Sequence, residues 1–261
     1  MSLVKSEKEI ALISESCRIV ADVLKYIEGF VKVGVTTLEL DKIVEEFILS
    51  RGGEPAFKGY RVRNRKFPAS ICSSVNEVVV HGIPNDVKLD SGDILSVDVG
   101  VRKGGYYGDS AYTFEVGEVS PQKKKLLAVT NESLYKGIKQ ARDGNTVNDI
   151  GLAIQEFVEG SGFSVVRELV GHGIGKNLHE EPAIPNYYSS GGKQKLKKGM
   201  TIAIEPMVNY GTSAVYELED GWTVVTKDHK PSAHFEHTVA VTKDGPEVLT
   251  THKYIEEVYK F

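Results

Sequence analysis

Apolar residues recur along this chain with two different periods, and each marks a kind of element. From Ser6 to Val31, the residues Ile10, Ile13, Cys17, Val20, Val23, Leu24 and Ile27 fall at spacings of three and four, the period of an amphipathic helix. Ser6 and Glu9 form a capping box at its start. The pattern predicts a second helix from about Thr37 to Arg51, stopped at Gly52-Gly53. A third is opened by Ser120-Pro121 and runs to about Arg142, and a fourth spans roughly Val147 to Glu159 before Gly160. Strand-like runs follow each helix pair. In the first half they are Ser70 to Val80, Ile94 to Arg102 and Tyr106 to Val116. In the second they are Phe163 to Leu169, Thr201 to Val208, Trp222 to Lys227 and His234 to Thr242.

The two helix pairs are alike. Superposing Gly34-Val35-Thr36 on Gly144-Asn145-Thr146 aligns the second helix of each pair without a gap, at a constant offset of 110. Glu39 falls on Asp149, Leu40 on Ile150, Val44 on Ile154, Phe47 on Phe157 and Gly52 on Gly162. Any two amphipathic helices align on their apolar positions, but here the capping threonine, the acid three residues later and the terminating glycine agree as well. The pattern points to an internal duplication. Helix pairs followed by mostly antiparallel strands predict an α+β fold. It would be one domain over 1–261 in two pseudo-symmetric halves, about 1–117 and 118–261, each an antiparallel sheet covered by a helix pair. A site shared by the halves would lie in the cleft between them.

Composition narrows the function classes. A formal net charge of −4 leaves no basic footprint of the kind nucleic-acid binding requires. Lys123-Lys124-Lys125 and the stretch Arg61 to Lys66 read as solvated surface. No stretch approaches the roughly 20 apolar residues of a membrane span, and charges rather than an apolar segment follow the first residues, so a soluble cytoplasmic protein is expected. Cys17 and Cys72 alone exclude a disulfide framework and a thiolate-rich zinc site.

Five residues carry chemistry that this background does not explain: Asp98, Asp109, His172, Glu205 and Glu236. Asp98 lies between Val97 and Val99 in a run that otherwise reads as buried, and a buried carboxylate needs a partner. A hairpin through Lys103, Gly104 and Gly105 points Asp98 and Asp109 the same way. They are a direct cross-strand pair if the turn centres on Lys103-Gly104, and diagonal neighbours if it centres on Gly104-Gly105. His172 sits among Gly171, Gly173 and Gly175, which allow close backbone approach and keep bulky neighbours off the imidazole. Glu205 ends the apolar run Thr201 to Ile204, just before Pro206. Glu236 is flanked by His234 and His237, with His234 on its own face as a weaker candidate ligand. Two divalent cations would cancel the four carboxylate charges, with a neutral imidazole as the fifth ligand, and a metal pair of this kind activates water for hydrolysis. An oxygen-rich set with one nitrogen suits manganese, iron, cobalt or zinc.

Together with His81 in the stretch Val80 to Pro84 and His179 at the end of the stretch from Gly171, these residues closely resemble the methionine aminopeptidases, over nearly the whole chain. The 31-residue separation of Glu205 and Glu236 resembles the type I form, and a first helix starting near residue 6 resembles the minimal bacterial enzymes. The resemblance implies a pita-bread fold and a cytoplasmic, monomeric dinuclear hydrolase. Such an enzyme removes the N-terminal methionine from nascent polypeptides, at the ribosome or free of it, when the second residue is small. It implies that Asp98 holds one metal, His172 and Glu205 the other, and that Asp109 and Glu236 bridge them. Glu205 would also shuttle the proton, His179 would stabilise the oxyanion, and His81 would contact the substrate near the scissile amide. The methionine pocket would draw on Cys72, Phe67, Tyr60, Trp222 and Leu178, and a monovalent-cation site on Asn76, Val78 and Ser232. The chain departs from the family pattern at Leu178 and Leu169, where an aromatic residue is frequent. It departs also in the run Arg61 to Lys66, which is longer and more basic than usual and able to form a lid. An Xaa-Pro peptidase of the same fold and a non-catalytic binding relative are the competing readings. The latter resembles enzymes that have lost ligands, whereas all five are present here.

Overall fold

The helical periods become helices close to where they are expected. In the computed structural model, which describes residues 3–256, α1 spans Glu7–Glu28, α2 Thr37–Ser50, α3 Pro121–Ile138 and α4 Val147–Gly160. The outermost residues of the two expected halves, 1–2 and 257–261, lie outside the described residues. At the start of α1, Ser6 N–H donates to Glu9 Oε2 at 2.9 Å and Glu9 N–H donates to Ser6 Oγ at 3.3 Å. α3 stops before Arg142 because its end tightens: Gln140 and Ala141 donate to carbonyls only three residues back, on Gly137 and Ile138. Among the described residues no helix is long and apolar enough to cross a membrane.

The likeness of the halves extends beyond the aligned helices. Thr36 and Thr146 each form an isolated antiparallel bridge with a lysine, Lys88 and Lys195. Gly34 and Gly144, at φ 88° and 90°, each donate to a leucine carbonyl, on Leu89 and Leu196. The caps repeat as well. Glu39 accepts Thr36 N–H at 2.8 Å and Thr36 Oγ1 at 2.9 Å while its own N–H donates to Thr36 Oγ1 at 3.1 Å, a reciprocal box. Asp149 accepts Thr146 N–H and Oγ1 in the same way, in a second capping box, with its own N–H also 3.1 Å from the Thr146 carbonyl. Both helix pairs pack on one continuous buried cluster that includes Val20, Leu40, Val97, Leu134, Ile154 and Val239.

The strands follow the expected order but are cut more finely. Ser70 to Val80 is two strands, Cys72–Val75 on Ile94–Lys103 and Val78–Val80 on Val224–Thr226, separated by Asn76 at φ 51°. Asparagine is among the few residues that adopt this conformation readily. Phe163 to Leu169 contains only the short strand Ser164–Val165. Thr201 to Val208 divides into Thr201–Ile204 and Met207–Asn209, and His234 to Thr242 into Ser232–His234 and His237–Thr242. These last two interruptions face each other, since Ile204 pairs with His237 on one side and Met207 with His234 on the other. Pro206 contributes the break on one strand because it has no N–H for the ladder.

The paired caps make a prediction. Thr36→Ala and Thr146→Ala each break a capping box and are each expected to destabilise the protein by about 1 kcal/mol. Urea denaturation measures both, and no loss in either variant would contradict the capping role.

Candidate metal centre

Each acid reaches the site by its own local device. The hairpin between Ile94–Lys103 and Tyr106–Glu115 turns on Gly104 and Gly105, at φ 59° and 83°. Two left-handed residues in a two-residue loop match the twist of the flanking strands, and glycine adopts them without strain. The turn sets Gly100 opposite Asp109 and Asp98 opposite Ala111, so the two aspartates are diagonal neighbours on one face. In the second half, the facing strand breaks leave Glu205 opposite Glu236, two like charges in a position that destabilises a sheet unless a cation intervenes. The hairpin and the second-half strands meet at these same residues. Glu236 N–H donates to the Ala111 carbonyl at 2.9 Å, Thr238 Oγ1 donates to the Asp109 carbonyl at 2.8 Å, and Ser110 Oγ donates to the Glu236 carbonyl.

His172 lies on the short strand Gly171–Gly173. A Cβ on Gly171 would run into the Ala203 carbonyl and one on Gly173 into the Glu181 carbonyl, so only glycine permits this approach. The ring Nδ1 is 2.9 Å from the Gly173 carbonyl, which assigns the proton to Nδ1 and leaves the Nε2 lone pair for the site. Nε2 lies 3.5 Å from Glu205 Oε1 and 3.9 Å from Asp109 Oδ2. Burial first, and His179 second, lower His172 to about 3, so the imidazole is neutral.

The carboxylates shift the other way. Burial pushes Asp98 up to about 7. Asp109, Glu205 and Glu236 stand well above the usual carboxylate range, by burial first and then by one another's and Asp98's charge. Two like charges 4 Å apart at an effective dielectric near 20 repel by roughly 4 kcal/mol, and a whole domain is stable by only about 5–15 kcal/mol. Four ionised acids here therefore need cations. One ligand atom from each of Asp109, His172 and Glu236 lies within 4.8 Å of the others. Asp98 Oδ1, Asp109 Oδ1, Glu236 Oε1 and His234 Nε2 are buried without a hydrogen-bond partner. Orphaned buried acceptors beside a neutral imidazole fit divalent cations. His234 Nε2 also lies 3.7 Å from Glu205 Oε2.

All five residues line one cleft, together with His81, His179, Cys72, Phe67, Tyr60, Trp222 and Leu178. The apolar members form a cluster of their own, separate from the main core. Phe67 and Trp222 meet edge to face at 5.3 Å. Tyr60 OH and His179 Nδ1 are 2.7 Å apart, a link between residues distant in the chain. His81 holds φ 58°, the strained left-handed region. Burial lowers its imidazole to about 4. Phe57 and Val62 also line the cleft and were missed in the sequence, where an apolar loop residue and a valine among arginines carry no distinguishing signal. Leu169 packs away from the cleft, with Val79, Val166 and Met207. Asn76, Val78 and Ser232 are not among the cleft-lining residues, and the Asn76 carbonyl accepts Ser232 N–H at 2.8 Å.

Residues 11–243 match the profile of metallopeptidase family M24. The chain is 50% identical over 250 residues to methionine aminopeptidase 1 of Bacillus subtilis, spanning 96% of this chain and 99% of that protein. The structure of methionine aminopeptidase from Thermotoga maritima superposes with a TM-score of 0.91 at 44% identity, over 95% of this chain and 98% of that one. An Xaa-Pro dipeptidase from Bacillus anthracis superposes with a TM-score of 0.78 at 22% identity, over 95% of this chain and 62% of that one, a likeness of fold alone.

The raised carboxyl groups set the pH dependence of metal binding. A cation must displace the proton that Asp98 keeps up to about pH 7, whereas His172 has none to lose. Affinity for Mn(II), measured by calorimetry between about pH 6 and 8, is expected to rise with pH, with protons released on binding at the lower end. A pH-independent affinity would contradict the burial of these acids.

Proposed function

The chain belongs to metallopeptidase family M24 and has its pita-bread fold, and from that premise we propose that it removes the N-terminal methionine from polypeptides whose second residue is small. The reading includes two divalent ions held by the pentad. Asp98 would hold one, His172 and Glu205 the other, and Asp109 and Glu236 both. The observation that carries it is the meeting of four buried carboxylates and a neutral imidazole where the two halves join, with acceptor atoms left unpartnered. Relatives at 44% and 50% identity that are methionine aminopeptidases support the substrate class.

Ions bound there supply Lewis acidity towards a carbonyl oxygen and lower the pKa of a water. Glu205, whose carboxyl group is held well above the usual range by burial, carries a proton from the attacking water to the leaving amine. With Tyr60 OH donating to Nδ1, His179 keeps its proton on Nε2, the nitrogen left to donate to the developing oxyanion. His81 contacts the substrate near the scissile amide. Phe67, Cys72, Leu178 and Trp222 exclude water around an unbranched thioether side chain. The reading further includes a monovalent cation at the carbonyls of Asn76, Val78 and Ser232, and nascent chains in the cytoplasm as substrates of a monomer.

Protein loaded in turn with Mn(II), Fe(II), Co(II) and Zn(II) is expected to release methionine from Met-Ala-Ser, but not from Met-Leu-Ser, and to leave Ala-Pro intact. Chromatography of the products reads the result. Cleavage of Ala-Pro alone would sink the proposal in favour of an Xaa-Pro peptidase, and no turnover with any of these metals would favour a non-catalytic relative. Asp109→Asn is expected to lower turnover by about a hundredfold or more and to reduce the bound metal counted by mass spectrometry. An active variant with a full metal complement would contradict the bridging role.

A further inference from the structure

Beyond the strand Gly245–Val248 the chain returns to the place where the halves join. Leu249 N–H donates to the Thr238 carbonyl at 2.9 Å, and the residues that follow send two hydrogen-bonded arms towards the metal centre. In the first, Thr250 Oγ1 accepts Thr238 N–H at 3.0 Å. Thr238 Oγ1 in turn accepts Asp109 N–H at 3.2 Å and donates to the Asp109 carbonyl at 2.8 Å. In the second, His252 Nε2 lies 2.9 Å from Ser110 Oγ, whose own proton goes to the Glu236 carbonyl. With that proton engaged Ser110 can only accept, so His252 carries its proton on Nε2. Alternation along the strand Tyr106–Glu115 turns Ser110 away from the face that carries the Asp109 carboxylate. Ser110, Thr238, Thr250 and His252 are buried, and none of them lines the cleft. The arms therefore end on the backbones of Asp109 and Glu236, the two carboxylates of the proposed bridge.

Packing alone does not account for the histidine. Its ring lies against His237, with centroids 4.0 Å apart, and edge-on to Tyr112 at 5.1 Å, a place that an apolar ring could also fill. Once Nε2 holds the proton, Nδ1 is an acceptor, and it is buried without a partner. An unpaired buried acceptor destabilises a fold, so what the imidazole adds is the Nε2 bond. We propose that His252 is a positioning residue: through Ser110 it fixes the Glu236 backbone, as Thr250 fixes that of Asp109 through Thr238, and so sets the spacing at which the two carboxylates hold a pair of divalent ions. This rests on the two-ion reading. The spacing decides whether a second cation binds beside the first, because a carboxylate displaced from its place between two ions serves one at the expense of the other. The segment is itself anchored, since Ile255 is buried in the main core.

The test loads the full chain with two equivalents of Mn(II) and uses electron paramagnetic resonance, which distinguishes an exchange-coupled pair from isolated ions. The parent is expected to show the coupled signal. In His252→Leu and in Ser110→Ala, affinity for the second ion, measured by calorimetry, is expected to fall about tenfold or more. Isolated-ion signals then replace the coupled one at the same loading. His252→Gln, whose amide N–H can stand where Nε2 does, is expected to recover the pair. Circular dichroism shows which variants are folded, and Ser110→Ala, which removes a single oxygen, carries the test if His252→Leu does not fold. Folded variants that hold the coupled pair as tightly as the parent overturn the proposal. So does a His252→Gln variant that behaves as His252→Leu does, which would reduce the histidine to packing. A parent without a coupled pair overturns the two-ion reading and this proposal with it, whereas a coupled pair in the parent and in every variant overturns this proposal alone.

Discussion

Four carboxylates packed around one neutral imidazole cannot all ionise unless cations join them, and this electrostatic constraint lies where the two halves of the molecule meet. Asp98 and Asp109 come from the first half, His172, Glu205 and Glu236 from the second. The same short segments hold the halves together: Glu236 N–H bonds to the Ala111 carbonyl, and Thr238 Oγ1 bonds to the Asp109 carbonyl. A group that bridges Asp109 and Glu236 would therefore also brace the joint, so stability and chemistry are coupled at one place. With the acids pushed above their usual range by burial, the metal-free centre retains protons that cations have to displace.

The two helix pairs are entered alike, but the chemistry beside them is not delivered alike. Both halves enter their second helix through a left-handed glycine, a bridged threonine and an acid at the third helical position. Their acids are delivered differently. The first half uses an unbroken hairpin whose glycine turn selects a diagonal register. The second interrupts two neighbouring strands at the same level, so that Glu205 and Glu236 face each other outside regular ladder geometry.

The cleft beside the centre is a second apolar cluster, distinct from the main core, in which Phe57, Phe67, Cys72 and Leu178 are buried while Tyr60 and Trp222 remain half-buried. Its members come from loops and short strands rather than from the helices. Such segments are free to differ between relatives without disturbing the main core. The link from Tyr60 to His179 ties the start of the basic run Arg61 to Lys66 to a residue of the centre, so the rim and the chemistry share a support.

Much was legible in the chain because it is local. Helix periods, the Ser6 and Thr36 capping boxes, the turn glycines and the pentad each announce themselves within a few residues, since a cap or a buried acid is conspicuous against its immediate neighbours. What only the tertiary structure decided is non-local. Two hairpin registers were equally compatible with the sequence around Lys103 to Gly105, and pairing selected one. The alternation through Phe235 and Glu236 reads as one strand, because periodicity reports which face is buried and says nothing of where a partner strand also breaks. The opposition of Glu205 and Glu236, the Tyr60–His179 contact and the place of Val62 at the rim all join segments far apart in the chain. Sequence determines what each residue can do; only folding determines which others it meets, because contact depends on a register set by the whole sheet rather than by neighbours in the chain.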